Sequence, residues 1–143
     1  MSAQTVRDAM VPEPTTLGAG ESAQQAGRFL ADPQVRAIFV TEDDGRLLGV
    51  VTRKTLVREV VAAGLDPKTV LLRDVAEPPY HTLDAGLELE AAFRFLEERD
   101  LERVPVVESG GRLVGVLSRA VVQRRLAEDE PPAPETDPGS VVL

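Results

Sequence analysis

The nine residues GRLLGVVTR, Gly45–Arg53, return as GRLVGVLSR at Gly111–Arg119, an offset of 66 residues. The offset holds well beyond the quoted stretch, and without a gap. Arg7-Asp8 falls on Arg73-Asp74, Pro12 on Pro78, Thr16-Leu17 on Thr82-Leu83, and Ala19-Gly20 on Ala85-Gly86. Ala26, Arg28, Phe29 and Leu30 fall on Ala92, Arg94, Phe95 and Leu96. From Val6–Val61 to Leu72–Ala127 there are 20 identities over 56 paired positions. A repeat of this period is the first thing to read in a chain, because each copy is one structural unit.

Both copies carry the same coarse pattern. Ser22 is placed to N-cap a helix whose apolar residues Ala23, Ala26, Phe29 and Leu30 recur at helical spacing. In the second copy Asp84 is the expected cap, and Leu89, Ala92, Phe95 and Leu96 form the matching stripe. Two short strands follow, at 37–41 and 46–51, joined by the turn EDDG. Their partners at 103–107 and 112–117 are joined by ESGG, the chemistry of a tight hairpin. Thr52 and Ser118 then stand where a strand ends and a helix begins, and the first of those helices stops at Gly64.

A copy of about 56 residues buries too little of its surface to be comfortable alone. Two copies packed about a pseudo-twofold axis solve this and leave two equivalent clefts between them. The expected organisation is a first repeat at 5–64, a second at 65–127, and a tail at 128–143. The tail is acidic and proline-rich, a composition that favours a solvated, flexible segment.

The chain has 143 residues, no cysteine, and a net charge of −8. Without cysteine, disulfides, thiol catalysis, Cys-type zinc sites and iron–sulfur clusters are excluded. The acidic balance argues against a general nucleic-acid surface. No apolar run approaches the ~20 residues that span a bilayer. The start MSAQTVRDAM lacks the features of a signal peptide, so a cytoplasmic protein with no membrane partner is expected.

The order helix, strand, hairpin, then GVVTR or GVLSR opening a second helix resembles a tandem pair of cystathionine β-synthase-type (CBS) domains, a Bateman module. RDAM at Arg7–Met10 and RVPVV at Arg103–Val107 are further pieces of that pattern. The resemblance covers residues 5–127. It implies an α/β fold of two pseudo-twofold-related β-α-β-β-α repeats packed sheet to sheet, and a regulatory rather than catalytic role. It also implies adenosine-containing ligands in the clefts: AMP, ADP, ATP, NAD or S-adenosylmethionine, none of them obligatory. Relatives of this kind often form homodimers, and some bind nothing.

At the strand–helix corners, unpaired backbone N–H groups favour an anion. Thr52 and Ser118 add hydroxyls there, while Arg53, Lys54 and Arg119 oppose the helix dipole, which suggests a phosphate. The alternative is that Thr52 and Ser118 are ordinary N-caps and the arginines face solvent. The family pattern continues to an Asp that accepts from ribose hydroxyls. Here that place is taken by Thr55, able to hold one hydroxyl, and by Val121, able to hold none. By the same resemblance Thr16 and Thr82 line the pocket, with Ile38, Phe39, Val40, Val104, Pro105 and Val106 as its apolar floor. Phe39, where the family often has Pro, fills adenine space.

Tyr80 and His81 are the only residues of their kinds and lie beside Thr82. They are candidates to stack on a base, or else loop packing. A lone His makes neither a metal site nor a catalytic dyad. The carboxylates of LEERDLE, Leu96–Glu102, read as a solvated helix end, and no nucleophile or acid–base pair is apparent. Two functions remain: a stand-alone nucleotide-sensing module relaying to an unidentified regulated protein, or a dimerisation and protein-interaction module with degenerate clefts.

Overall fold

The computed structural model describes residues 4–12, 14–79 and 81–129. Two sheets form. One has three strands, β2 (Thr16–Gly18), β3 (Ile38–Thr41) and β4 (Leu47–Val51), with β2 parallel and β4 antiparallel to the central β3. The other has four, in the order β1 (Val11–Pro12), β7 (Arg112–Ser118), β6 (Arg103–Glu108) and β5 (Leu83–Asp84). Here β5 is parallel to β6, and β7 is antiparallel to both of its neighbours. The strands match the sequence expectation to within a residue or so, because alternating Val, Ile and Leu with glycine turns leave little choice. Gly45 at φ 91° closes the first hairpin, and Gly110 and Gly111 at φ 77° and 84° close the second.

Helices α2 (Ala23–Leu30) and α5 (Leu89–Glu98) cover one face of each sheet. Ser22 caps α2, accepting from the Gln25 N–H at 3.2 Å. The expected cap of α5 is corrected: it is Glu88, the repeat equivalent of Ser22, and it makes no side-chain cap bond. Asp84 lies in β5 and instead accepts from the Gly86 N–H at 2.7 Å, an Asx-type turn. After β4, helix α3 (Arg53–Leu56) continues as a π-helical turn over Val57–Val61, and Gly64 at φ 73° follows it. Helix α6 (Arg119–Asp129) follows β7. It reaches past residue 128, where a tail was expected to start, while 130–143 lie outside the described residues.

The sequence repeat and the packed unit differ at one point. The first helix, α1 (Val6–Ala9), belongs by sequence to the first repeat. Yet Val6 and Ala9 sit in the second core, with Leu83, Leu89, Val104 and Leu117. Its equivalent, α4 (Leu72–Val75), gives Leu72 and Val75 to the first core, with Leu17, Ile38 and Val51. The backbone follows suit: the Val6 N–H donates to the Leu87 carbonyl at 2.9 Å, and the Leu72 N–H to the Glu21 carbonyl at 2.8 Å. These are the same bond, 66 residues apart. Next, β1 pairs with β7 through Val11 and Val116, while Glu77, the equivalent of Val11, pairs with Val50. Each half completes its sheet and core with the other half's opening segment.

The axis relating the halves is visible where equivalent residues meet. Arg46 and Arg112 form an antiparallel bridge, and the Leu113 N–H donates to the Gly45 carbonyl at 3.1 Å. The second sheet faces thus lie toward one another, as expected from the repeat.

Phe29 corrects the helical stripe. It is 45 % exposed, whereas Ala23, Ala26 and Leu30 are buried. Its equivalent Phe95 packs on the second core because His81 stands edge-on to it, ring centroids 5.5 Å apart, and the Arg99 guanidinium lies 4.1 Å over its ring. The first repeat has Thr15 and Pro33 at those two places and offers Phe29 no such cover.

Candidate functional site

A cleft of about 560 Å³ opens between the sheets. Its walls come from equivalent positions of the two repeats: Phe39 and Pro105, Val50 and Val116, Val35 and Leu101, Thr15 and His81, Val11 and Glu77. This cleft therefore crosses the pseudo-twofold axis. Its lining is largely apolar with a few polar groups at the rim, the usual composition of a small-molecule pocket. The polar groups are Thr15, Gln34, Arg36, Glu77, His81, Arg103 and Ser118.

Of the residues singled out in the sequence, Phe39, His81, Val104, Pro105 and Ser118 line this cleft. Ile38 and Val40 do not. They are fully buried on the helix side of β3, because strand side chains alternate and only Phe39 points the other way. Thr16 is exposed on β2, paired with Phe39, and its neighbour Thr15 takes the lining place. The same one-residue shift puts His81 rather than exposed Thr82 at the wall. Tyr80 lies outside the described residues.

The strand–helix corners are bonded inward. The Thr52 N–H donates to Thr55 Oγ1 at 3.1 Å, and the Thr55 N–H donates to Thr52 Oγ1 at 3.2 Å. This is a reciprocal capping box, with the two hydroxyls 3.0 Å apart. Thr55 is 1 % exposed, and its hydroxyl donates to Glu77 Oε2 at 3.5 Å. Arg53 Nη2 donates to the carbonyls of Asp32 at 2.7 Å and Val35 at 2.8 Å, tying down the chain that leaves α2. Arg119 pairs with Glu102 at 2.5 Å and Asp100 at 3.3 Å. Ser118 Oγ accepts from the Val121 N–H at 3.5 Å, a marginal cap that leaves the hydroxyl at the cleft.

Sequence reasoning passed over Glu77, Arg36 and Arg103. Their signal was faint: Glu77 replaces a valine in the repeat alignment, Arg103 replaces Ala37, and Arg36 matches Glu102. All three break the repeat's own pattern at the cleft.

The family model for the CBS domain matches twice, at residues 6–62 and 72–128. The chain belongs to the CBS-domain family. Hypoxic response protein 1 of Mycobacterium tuberculosis is 33% identical over 124 residues, covering 87% of this chain and 86% of that one. Among solved structures, Hypoxic Response Protein I with two coordinated zinc ions superposes with a TM-score of 0.71. It is 31% identical and covers 85% of this chain and 98% of its own. CBSX2, a protein of Arabidopsis thaliana, in complex with AMP gives 0.68 at 27% identity, covering 87% and 96%. Inosine-5'-monophosphate dehydrogenase of Mycobacterium tuberculosis is 28% identical over 109 residues, which make up only 20% of that enzyme. The CBS pair matched here is thus a regulatory kind of domain, carried by some relatives alone and by others beside an enzyme. Among the described residues no group of three His, Asp or Glu side chains is placed to hold a metal. No helix among them is long and apolar enough to cross a membrane.

Proposed function

We propose that this CBS pair is a ligand-sensing module, which holds an adenosine-containing nucleotide in the inter-sheet cleft and relays its occupancy to a partner protein. The observation that carries this reading is the cleft itself, about 560 Å³ and walled equally by both repeats. A ligand there touches both halves at once and so has differential contacts with any two poses of them, the requirement for a ligand to shift an equilibrium. The AMP complex of CBSX2 and the ATP complex of the cytosolic domain of MgtE, 26% identical at TM-score 0.64, support the choice of ligand class. Ser118, His81, Arg36 and Arg103 are among the polar groups offered to it, above an apolar floor of Phe39, Val104 and Pro105. Thr52, Arg53, Thr55 and Arg119 act in this reading from behind the wall, holding the corners in shape.

A thermal-shift series with AMP, ADP, ATP, NAD and S-adenosylmethionine tests the reading. A ligand at a hundred times its Kd adds about 2.7 kcal/mol of stability. A flat response to all five at millimolar concentration rejects it.

The second reading, a dimerisation module with degenerate clefts, is favoured by the capping box that engages both hydroxyls of the first corner and by an apolar outer face on the first repeat. Phe29, Val57, Val61 and Leu65 are between 45 % and 71 % exposed there. A groove between α2 and α3 lies beside them, so one face carries both ridge and groove, as a two-fold interface requires. The positions equivalent to Val57 and Val61 are Gln123 and Ala127, so the second repeat lacks this face. Homodimerisation through the first repeat is compatible with either reading. Light scattering should show a dimer for the native chain and a monomer for Val61→Asp. Cytoplasmic placement belongs to the same proposal.

A further inference from the structure

The charge of the cleft is unlike that of the molecule. The chain carries a net charge of −8, yet two exposed arginines, Arg36 and Arg103, stand on the cleft wall. Neither enters an ion pair among the described residues. The acid on the same wall, Glu77, is already paired with Arg58. Two uncompensated cations therefore share a cleft with the apolar surfaces of Phe39, Val104 and Pro105 and with the His81 ring. The peptide that complements such a surface combines carboxylates with prolines and aliphatic side chains.

One segment of this chain has that composition. Residues 130–143 read EPPAPETDPGSVVL, with Glu130, Glu135 and Asp137, four prolines, and the aliphatic run Val141, Val142 and Leu143. The fold also starts this segment within reach of the cleft. Ser118 lines the cleft, and α6 runs on from Arg119 for 11 residues, which carries the chain about 16 Å along the helix axis. A proline-rich chain covers about 3.1 Å per residue, so residues 130–134 suffice to retrace that length. Glu135 and Asp137 then come level with the arginines, and 141–143 with the apolar floor. So short a tether gives an effective concentration on the order of millimolar, at which a weak contact is enough.

We propose that residues 135–143 seat in the inter-sheet cleft of their own chain, carboxylates against Arg36 and Arg103 and aliphatic side chains on Phe39 and Pro105. A ligand then enters by displacing the tail, and its apparent affinity falls in proportion to the fraction of clefts left open. The contact goes beyond the nucleotide reading and does not need it: cleft, charge and tether are sufficient.

The chain has no cysteine, so Ser140→Cys gives a single attachment point for a nitroxide spin label on the full-length protein. Amide NMR signals of Phe39, Val50, Val104 and Val116 should be lost while the label is paramagnetic and should return when it is reduced. Signals of α2, on the other face of the first sheet, should be kept. Arg36→Glu together with Arg103→Glu should restore the cleft signals, since both side chains are exposed and belong to neither core. If that pair does not fold, Glu135→Gln with Asp137→Asn, outside the described residues, should restore them equally. Cleft signals untouched by the label, or lost alike in every variant, overturn the proposal. Loss confined to α2 and α3 also overturns it, by seating the tail in the groove there. So does equal loss in a mixture of isotope-labelled and spin-labelled chains, which makes the occupant a second copy's tail. The experiment uses no nucleotide, so each of these outcomes leaves the sensor reading standing.

Discussion

Thr52 shows what a residue can and cannot disclose. Its position between strand and helix was legible, and so were two uses for its hydroxyl, anion binding or capping. The capping box with Thr55 is a matter of two side chains turning toward each other, which spacing allows but does not dictate. Thr52→Ala should therefore cost about 1 kcal/mol in denaturant unfolding. Arg53 stands out in the sequence for its charge, yet its use is geometric, as a clamp on the Asp32 and Val35 carbonyls. The glycines of the quoted repeat are more constrained than their turns suggest. A Cβ on Gly49 would meet the Glu77 carbonyl at 2.6 Å, and one on Gly115 would meet the Val11 carbonyl at 2.8 Å. Gly49→Ala and Gly115→Ala should each lose about 1–3 kcal/mol by denaturant titration. Asp44 belongs at this scale too. The Arg46 backbone N–H, and then its guanidinium, hold the Asp44 carboxyl below its ordinary value. A lowered folded pKa gives stability that is present above the unfolded value and is lost as pH falls through the folded one. Asp44→Asn should thus destabilise slightly at pH 7, and the difference from native should vanish well below about pH 4.

At the scale of elements, strands and helices follow from periodicity, and the repeat states each of them twice. What periodicity could not supply is which copy an element serves. Alignment says that α1 and α4 are equivalent. It is silent on whether each packs on its own half or the other, because both solutions bury the same residues in equivalent places. The exchange also explains why Glu77 escaped notice: a residue of the connecting segment becomes cleft wall only once that segment joins the opposite sheet. Leu72, fully buried, belongs by sequence to the second repeat and by packing to the first. Leu72→Ala should cost about 2–5 kcal/mol. In hydrogen exchange, its losses in amide protection should appear first in β3 and β4. Val6→Ala should do the converse and loosen β6 and β7.

For the whole molecule the exchange makes two halves into one cooperative body. Neither sheet nor core is complete without the other copy's opening residues. Calorimetry should show a single transition, with the van't Hoff and calorimetric enthalpies equal. Residues 1–64 expressed alone should lack a fixed tertiary structure, despite forming one whole sequence repeat. The pseudo-symmetry is nonetheless broken where function would be sought, at Val11 against Glu77, Thr15 against His81, and Phe39 against Pro105. The fold was legible from the repeat because it depends on what the copies share. The site was less so, since it depends on where they diverge.

The crossed opening segments also set a timetable for synthesis. A nascent chain emerging from the ribosome cannot close its first sheet until Glu77 has cleared the exit tunnel. Its first helix must then wait, unpartnered, until Leu117 and Val122 arrive near the far end. Helix α1 is made long before the strand and helix that house it, so neither half of the pair can fold to completion until nearly all of the second has been synthesised.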